Sequence, residues 1–279
     1  MTGLLRATLA ALAAGAVTNR LRAGLEEAPP GGHAVWLRTN HRGEDVSLLE
    51  GPAVAAGVLG GLVASGEPVR SSLGAALATG AGAAFGLVDD LAEDAETRAK
   101  GLRGHLGALA EGEVTTGGLK VLGIGAGALL AAAVGTRRTG SGRAWLGDVL
   151  VNGALIAASA NVANLLDLRP GRALKASLAV AGGACAAGVS PGIAGAVAGA
   201  AGAALGEDLA GRDMLGDGGA NALGAAAGAA LAFGASRPAR LAALGVTVAL
   251  TLASERISFT DVIARTPGLR ELDELGRRA

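Results

Sequence analysis

Apolar stretches recur along the whole of this chain, and nearly all of its charge is confined to the short segments between them. A helix needs roughly 17–25 predominantly apolar residues to cross a hydrocarbon core, where each backbone polar group has to be satisfied within its own segment. The pattern therefore predicts an all-α fold, a polytopic transmembrane helical bundle. Composition agrees: 51% of the residues are hydrophobic, only 2% aromatic, and the mean hydropathy is +0.45. Gly and Ala dominate the apolar stretches, which softens their boundaries while letting helix backbones approach closely through small-xxx-small contacts. A soluble Ala/Gly-rich helical repeat would need regularly spaced polar outer faces and a repeat period, and neither is visible.

Nine spans are predicted, at about 3–18, 51–66, 70–88, 118–135, 145–166, 173–189, 191–206, 218–235 and 238–254. Ser190-Pro191 separates the sixth from the seventh, and Trp145 opens the fifth as an interfacial anchor. Arg6 and the apolar run after it resemble a signal peptide in isolation, but the stretches that follow favour an uncleaved first span. Connections on one side hold fifteen Lys and Arg against four on the other. By the positive-inside rule the first side is cytoplasmic, with the amino terminus outside and the carboxy terminus inside a cell membrane. The tail, 255–279, carries Phe259, Val262, Ile263, Leu269, Leu272 and Leu275 at helical spacing interrupted by Pro267. It reads as short amphipathic helices on the membrane surface or against the protein's own loops. Two parts result, a membrane domain over 1–254 and this tail. The net charge of zero argues for neither a nucleic-acid nor an acidic partner, and no nucleic acid is expected. Cys185 has no partner cysteine and reads as a small packing residue.

Three acidic constellations fall at helix ends on the inferred cytoplasmic side. Asp89-Asp90 follows an apolar run in FGLVDDLAED, and paired carboxylates there suit Mg²⁺-linked phosphate chemistry or proton abstraction, or simply a solvated boundary. In NVANLLDLRPGR, Asn161, Asn164 and Asp167 recur every third residue along one side of a helix end, for a ligand or for one another. Arg169, Arg172 and Lys175 beyond them are placed to hold phosphate or anionic headgroups. In DMLGDGGANALG, Asp217 lies between glycines as a helix begins, where it could ligate Mg²⁺ or cap the helix.

The ordered set FGLVDD, NVANLLD and MLGDGGANALG resembles the motifs of the polyprenyl-phosphate N-acetylhexosamine-1-phosphate transferase family, over roughly residues 40–235. The segment KGLRGHLGALAEGEVTTGGLK is similar to the loop and helix after the aspartate pair in some divergent members. The resemblance implies Mg²⁺-dependent transfer of a sugar 1-phosphate from a UDP-sugar to a polyprenyl phosphate at the cytoplasmic face, releasing UMP, in cell-envelope precursor synthesis. It makes Asp217 the leading metal ligand and Asp89 and Asp90 the groups that support the metal or deprotonate the lipid phosphate. Asp167 becomes a further catalytic or metal-linked carboxylate, with Asn161 and Asn164 orienting the nucleotide-sugar diphosphate or holding Asp167. Lys120 and His105 are further phosphate-binding candidates, beside the plainer readings of a snorkelling Lys and a solvent-exposed His. The chain departs from the family where its carboxy-terminal loop carries a His-rich motif, because the last His here is His105. It departs again where LRPGRALK follows Asp167 in place of Asp-Gly-x-Asp-Gly. Both departures bear on the sugar donor more than on metal or lipid. The alternatives are a non-catalytic protein that binds polyprenyl phosphate or scaffolds an envelope-synthesis complex, and an ion-coupled transporter. Small-residue faces also allow a homodimer.

Overall fold

The computed structural model describes residues 1–40, 42–92 and 116–278. Twelve helices account for almost all of the regular structure among them: α1 (Gly3–Glu27), α2 (His33–Trp36), α3 (Glu50–Ala64), α4 (Val69–Ala92), α5 (Thr116–Gly135), α6 (Gly142–Leu166), α7 (Arg172–Ala186), α8 (Pro191–Leu209), α9 (Gly216–Gly234), α10 (Arg237–Ser254), α11 (Phe259–Arg265) and α12 (Leu269–Glu274). A short antiparallel hairpin, β1 (Leu37–Thr39) with β2 (Asp45–Ser47), pairs Arg38 opposite Val46. The sequence reading did not anticipate this hairpin. Its strands are three residues each, too short to show a period of two.

Each of the nine apolar stretches corresponds to a helix, yet the expected count of nine spans is not what the helices show. Among the described residues three are long and apolar enough to cross a membrane: Val69–Ala92, Gly117–Gly135 and Gly142–Leu166. A fourth is added if Arg237–Ser254 and Phe259–Arg265, which meet at a bend of 99°, form one broken span. The physical reason lies in composition and length. Gly and Ala contribute little hydropathy, Asp217 and Asn221 subtract from α9, and α1 carries Arg6, Arg20, Arg22, Glu26 and Glu27. Helices α3 and α7 have 15 residues each, about 22 Å at the rise of an α-helix and short of the hydrocarbon thickness.

Helix α9 is the axis of the bundle. It packs against α3, α4, α6, α7 and α8, and Leu223, Ala226 and Ala229 are wholly buried along it. Close approach is possible because small residues face each other. A Cβ on Gly86 of α4 would run into the backbone carbonyl of Asp217, and one on Gly224 of α9 would meet Ala160 of α6 at 2.8 Å. Such contacts stabilise through dispersion between backbones, which works in lipid as well as in water. A second set of contacts joins α1 to α3 and α8, and α5 bridges α4 and α6. Helix α10 lies outside, packed on α6, with no buried residue and with Val246, Val248 and Leu252 exposed.

Candidate active site

The helix ends that carry the acidic residues meet at one end of the bundle. Helix α9 begins there, and its first backbone N–H groups have no acceptor within the helix. Carboxylates from two other helices supply one. Asp90, near the end of α4, accepts hydrogen bonds from the backbone of Asp217 (3.0 Å) and Gly218 (2.9 Å), and Gly216 donates to Asp167, the residue that ends α6. The partial positive charge of the helix start favours both arrangements. Gly216 has φ +59°, and a Cβ there would meet the Asp90 carboxylate at 2.9 Å. Only glycine lets that carboxylate in.

Lys120, on the first turn of α5, reaches across to Asp89 (2.6 Å) and to Asp217, so one ammonium joins α4, α5 and α9. These are charge-assisted bonds in a largely enclosed place, where removal of Lys120 would leave two facing carboxylates uncompensated. Asn221, one turn into α9, donates to the Asp217 carbonyl at 2.8 Å. Arg38 of the hairpin donates to the backbone carbonyl of Asp90.

Two cavities flank this centre. One, of about 540 Å³, runs between α5, α6 and α10, polar at Lys120, Asn161, Asn164 and Asn221 and apolar along Ile124, Val248 and Leu252. Asn161 also donates to Thr251 (3.0 Å), tying α10 to α6. The other, of about 230 Å³, lies under the hairpin and is walled by Asn40, Asp167, Arg169, Pro170, Asp208 and Asp213, among others. Burial, reinforced by the charges of Asp208, Asp217 and Asp90, pushes the Asp167 carboxyl well above the usual carboxylate range. Burial also raises Asp213, although its ion pair with Arg22 pulls the other way. Glu50 lies nearby, fully buried and near enough to feel Asp208, Asp213 and Asp167, with neither oxygen hydrogen-bonded among the described residues. No protein-family model matches the chain, and no curated protein matches it.

Of the residues singled out from sequence, Asp89, Asp90, Lys120 and Asp217 are brought together. Asp167 joins them through Gly216 but opens on the smaller cavity, whereas Asn161 and Asn164 line the larger one, so this triplet is divided between two spaces. Arg169 lines the smaller cavity, and Arg172 is turned away from it into an ion pair with Asp273. His105 lies outside the described residues. Among the described residues no three His, Cys, Asp or Glu side chains are grouped as a ready metal cage. Sequence reasoning missed Arg38, Asp208, Asp213, Glu50 and Asn221. For Asn221 a signal existed, since it stands four residues after Asp217 and so on the same helix face.

Proposed function

We propose that this chain is a membrane-embedded phosphotransferase that moves a sugar 1-phosphate from a UDP-sugar to a polyprenyl phosphate and releases UMP. The observation that carries the reading is the convergence of Asp89, Asp90 and Asp217 on one end of the bundle around Lys120, between a polar cavity and an apolar-walled groove. Two phosphate-bearing reactants have to be drawn together against their mutual repulsion, and a site of this kind needs cations and positioned carboxylates. The groove beside Lys120 suits a lipid whose phosphate lies at the polar end and whose chain follows Ile124, Val248 and Leu252. The smaller cavity suits the nucleotide-sugar, held by Arg169 and Asn40.

Asp217 and Asp89 are the residues that would hold Mg²⁺. Both are hard oxygen donors already converging on one cationic group, and Mg²⁺ is usually held by one or two carboxylates with the remaining positions filled by substrate phosphate and water. When bound, the ion would supply charge neutralisation between the two phosphates. Asp90 is committed to the α9 backbone and Asp167, on the smaller cavity, would face the nucleotide-sugar, so acceptance of a proton from the lipid phosphate falls to Asp89, beside Lys120 at the polar end of the groove. In this reading the site faces the cytoplasm, where the Lys and Arg excess lies, with the amino terminus outside and the carboxy terminus inside.

The test is UMP release by the purified chain in lipid nanodiscs with Mg²⁺, polyprenyl phosphate and a panel of UDP-sugars. Turnover with at least one donor, reduced by about 10²-fold or more in Asp217→Asn, is the expected outcome. Lipid retention without nucleotide or Mg²⁺ affinity, and no turnover with any donor, would instead make the chain a polyprenyl-phosphate-binding scaffold.

A further inference from the structure

The carboxy-terminal segment does not hang free of the bundle. Arg172, only 6% exposed at the start of α7, grips Asp273 of α12 with two nitrogens, Nε at 2.7 Å and Nη2 at 3.0 Å, and donates to Thr260 of α11 at 3.1 Å. Lys175, one turn on, donates to the carbonyls of Leu272 (2.9 Å) and Asp273 (2.8 Å). Arg277 pairs with the same Asp273 at 3.1 Å and donates to the Pro170 carbonyl at 3.1 Å. The Arg278 N–H donates to the Leu209 carbonyl at 3.1 Å, and Arg42 returns a bond to the Arg278 carbonyl at 2.8 Å.

One of those anchor points, Pro170, lines the smaller cavity, and Leu209 and Arg42 lie within two residues of its walls. Pro170 belongs to the turn that carries Asp167 and Arg169, Leu209 adjoins Asp208 and Gly211, and Arg42 sits two residues from Asn40. These three segments are far apart in sequence, and the tail bonds to each of them. We propose that residues 259–278 form a strap that holds the three walls of this cavity in register, with Asp273 as the positioning residue that fastens it. Arg172 from the bundle and Arg277 from the strap itself meet on the Asp273 carboxylate, while Lys175 holds the backbone carbonyls of Leu272 and Asp273, so removing the carboxylate takes away the Arg172 clasp and leaves the strap's polypeptide in place. Burial works against the Asp273 charge, but Arg172 and Arg277 outweigh it and hold the carboxyl below the usual carboxylate range.

The effect on turnover rests on the proposed function, so the primary readout is structural. Hydrogen exchange is measured on the full chain in nanodiscs for the native protein, Asp273→Asn and Asp273→Glu. In Asp273→Asn the amides of 168–176 and 208–214 should exchange about tenfold faster or more, as in a local opening, with those of α4 and α9 unchanged. Asp273→Glu should restore most of the protection. If exchange in these segments matches the native chain, the strap is refuted, whatever the activity. Should Asp273→Asn loosen the whole bundle, Arg277→Gln, which removes the anchor on the Pro170 carbonyl, is measured in its place; faster exchange confined to 168–176 supports the strap and native exchange there refutes it. With a turnover assay in hand, the KM for the nucleotide-sugar should rise severalfold with kcat little changed. Absence of turnover in the native chain would count against the transferase reading and leave the exchange result standing.

Discussion

Asp90 sits at the end of α4, but the backbone it serves belongs to α9, 127 and 128 residues further along the chain. It therefore does for α9 what an N-cap residue does for its own helix, and it satisfies two N–H groups where a local cap satisfies one. Asp90→Ala would leave both donors without a partner in an enclosed place, at a cost of about 1–3 kcal/mol. A thermal melt of the solubilised protein should show a lower midpoint, and Asp90→Asn, which keeps one carbonyl acceptor, should lose less. An unchanged midpoint for Asp90→Ala would mean that α9 is capped in some other way. Lys120 is the complementary case. Its ammonium offsets the charges of Asp89 and Asp217, so the three residues form one unit.

The contact of α4 with α9 depends on side chains that are absent. Gly82 and Gly86 face the backbone of α9 at Asn221 and Asp217, and any Cβ at Gly86 would push the helices apart where the carboxylates converge. Gly86→Val should destabilise by about 1–3 kcal/mol through overpacking. It should also lower any turnover, because it displaces Asp217 relative to Asp89. Gly80, on the same helix, has nothing within 4 Å of its would-be Cβ. Gly80→Ala should be neutral or stabilising by up to about 1 kcal/mol on helix propensity. Equal behaviour of the two variants in a thermal melt would show that the α4–α9 approach is not close-packed.

The bundle has two chemically different ends. At one lie the acidic centre, the hairpin and the tail, and at the other Arg137, Arg138, Trp145 and the network joining Arg240, Asn152 and Thr136. The proposed orientation places the first end in the cytoplasm. With Cys185 replaced by Ala, single cysteines at the exposed positions Glu44 and Arg137 should differ in reaction with a membrane-impermeant thiol reagent applied to intact cells. Arg137→Cys should be labelled and Glu44→Cys should not. The reverse pattern would invert the orientation.

Hydrophobic patterning was enough to place the nine long helices, because that information is local: apolar runs, a Pro at a helix start, a break in charge. The motifs Asp89-Asp90, Asn161-Asn164-Asp167 and Asp217 were legible in the same way, as polar groups at helix ends. Local pattern did not reveal how many helices are long and apolar enough to cross a membrane, since a Gly/Ala run looks alike whether it meets lipid or another helix. Nor did it reveal the use made of each charged group. Arg172 read as a phosphate ligand, yet its partner is Asp273, 101 residues away. Asp90 read as half of a metal pair, yet it caps α9. Charge and spacing belong to the chain, whereas a carboxylate's partner is set by which helix ends packing brings within about 3 Å. That choice is made where glycines of α4 and α9 let these helices, and the small residues of α6, close on one another.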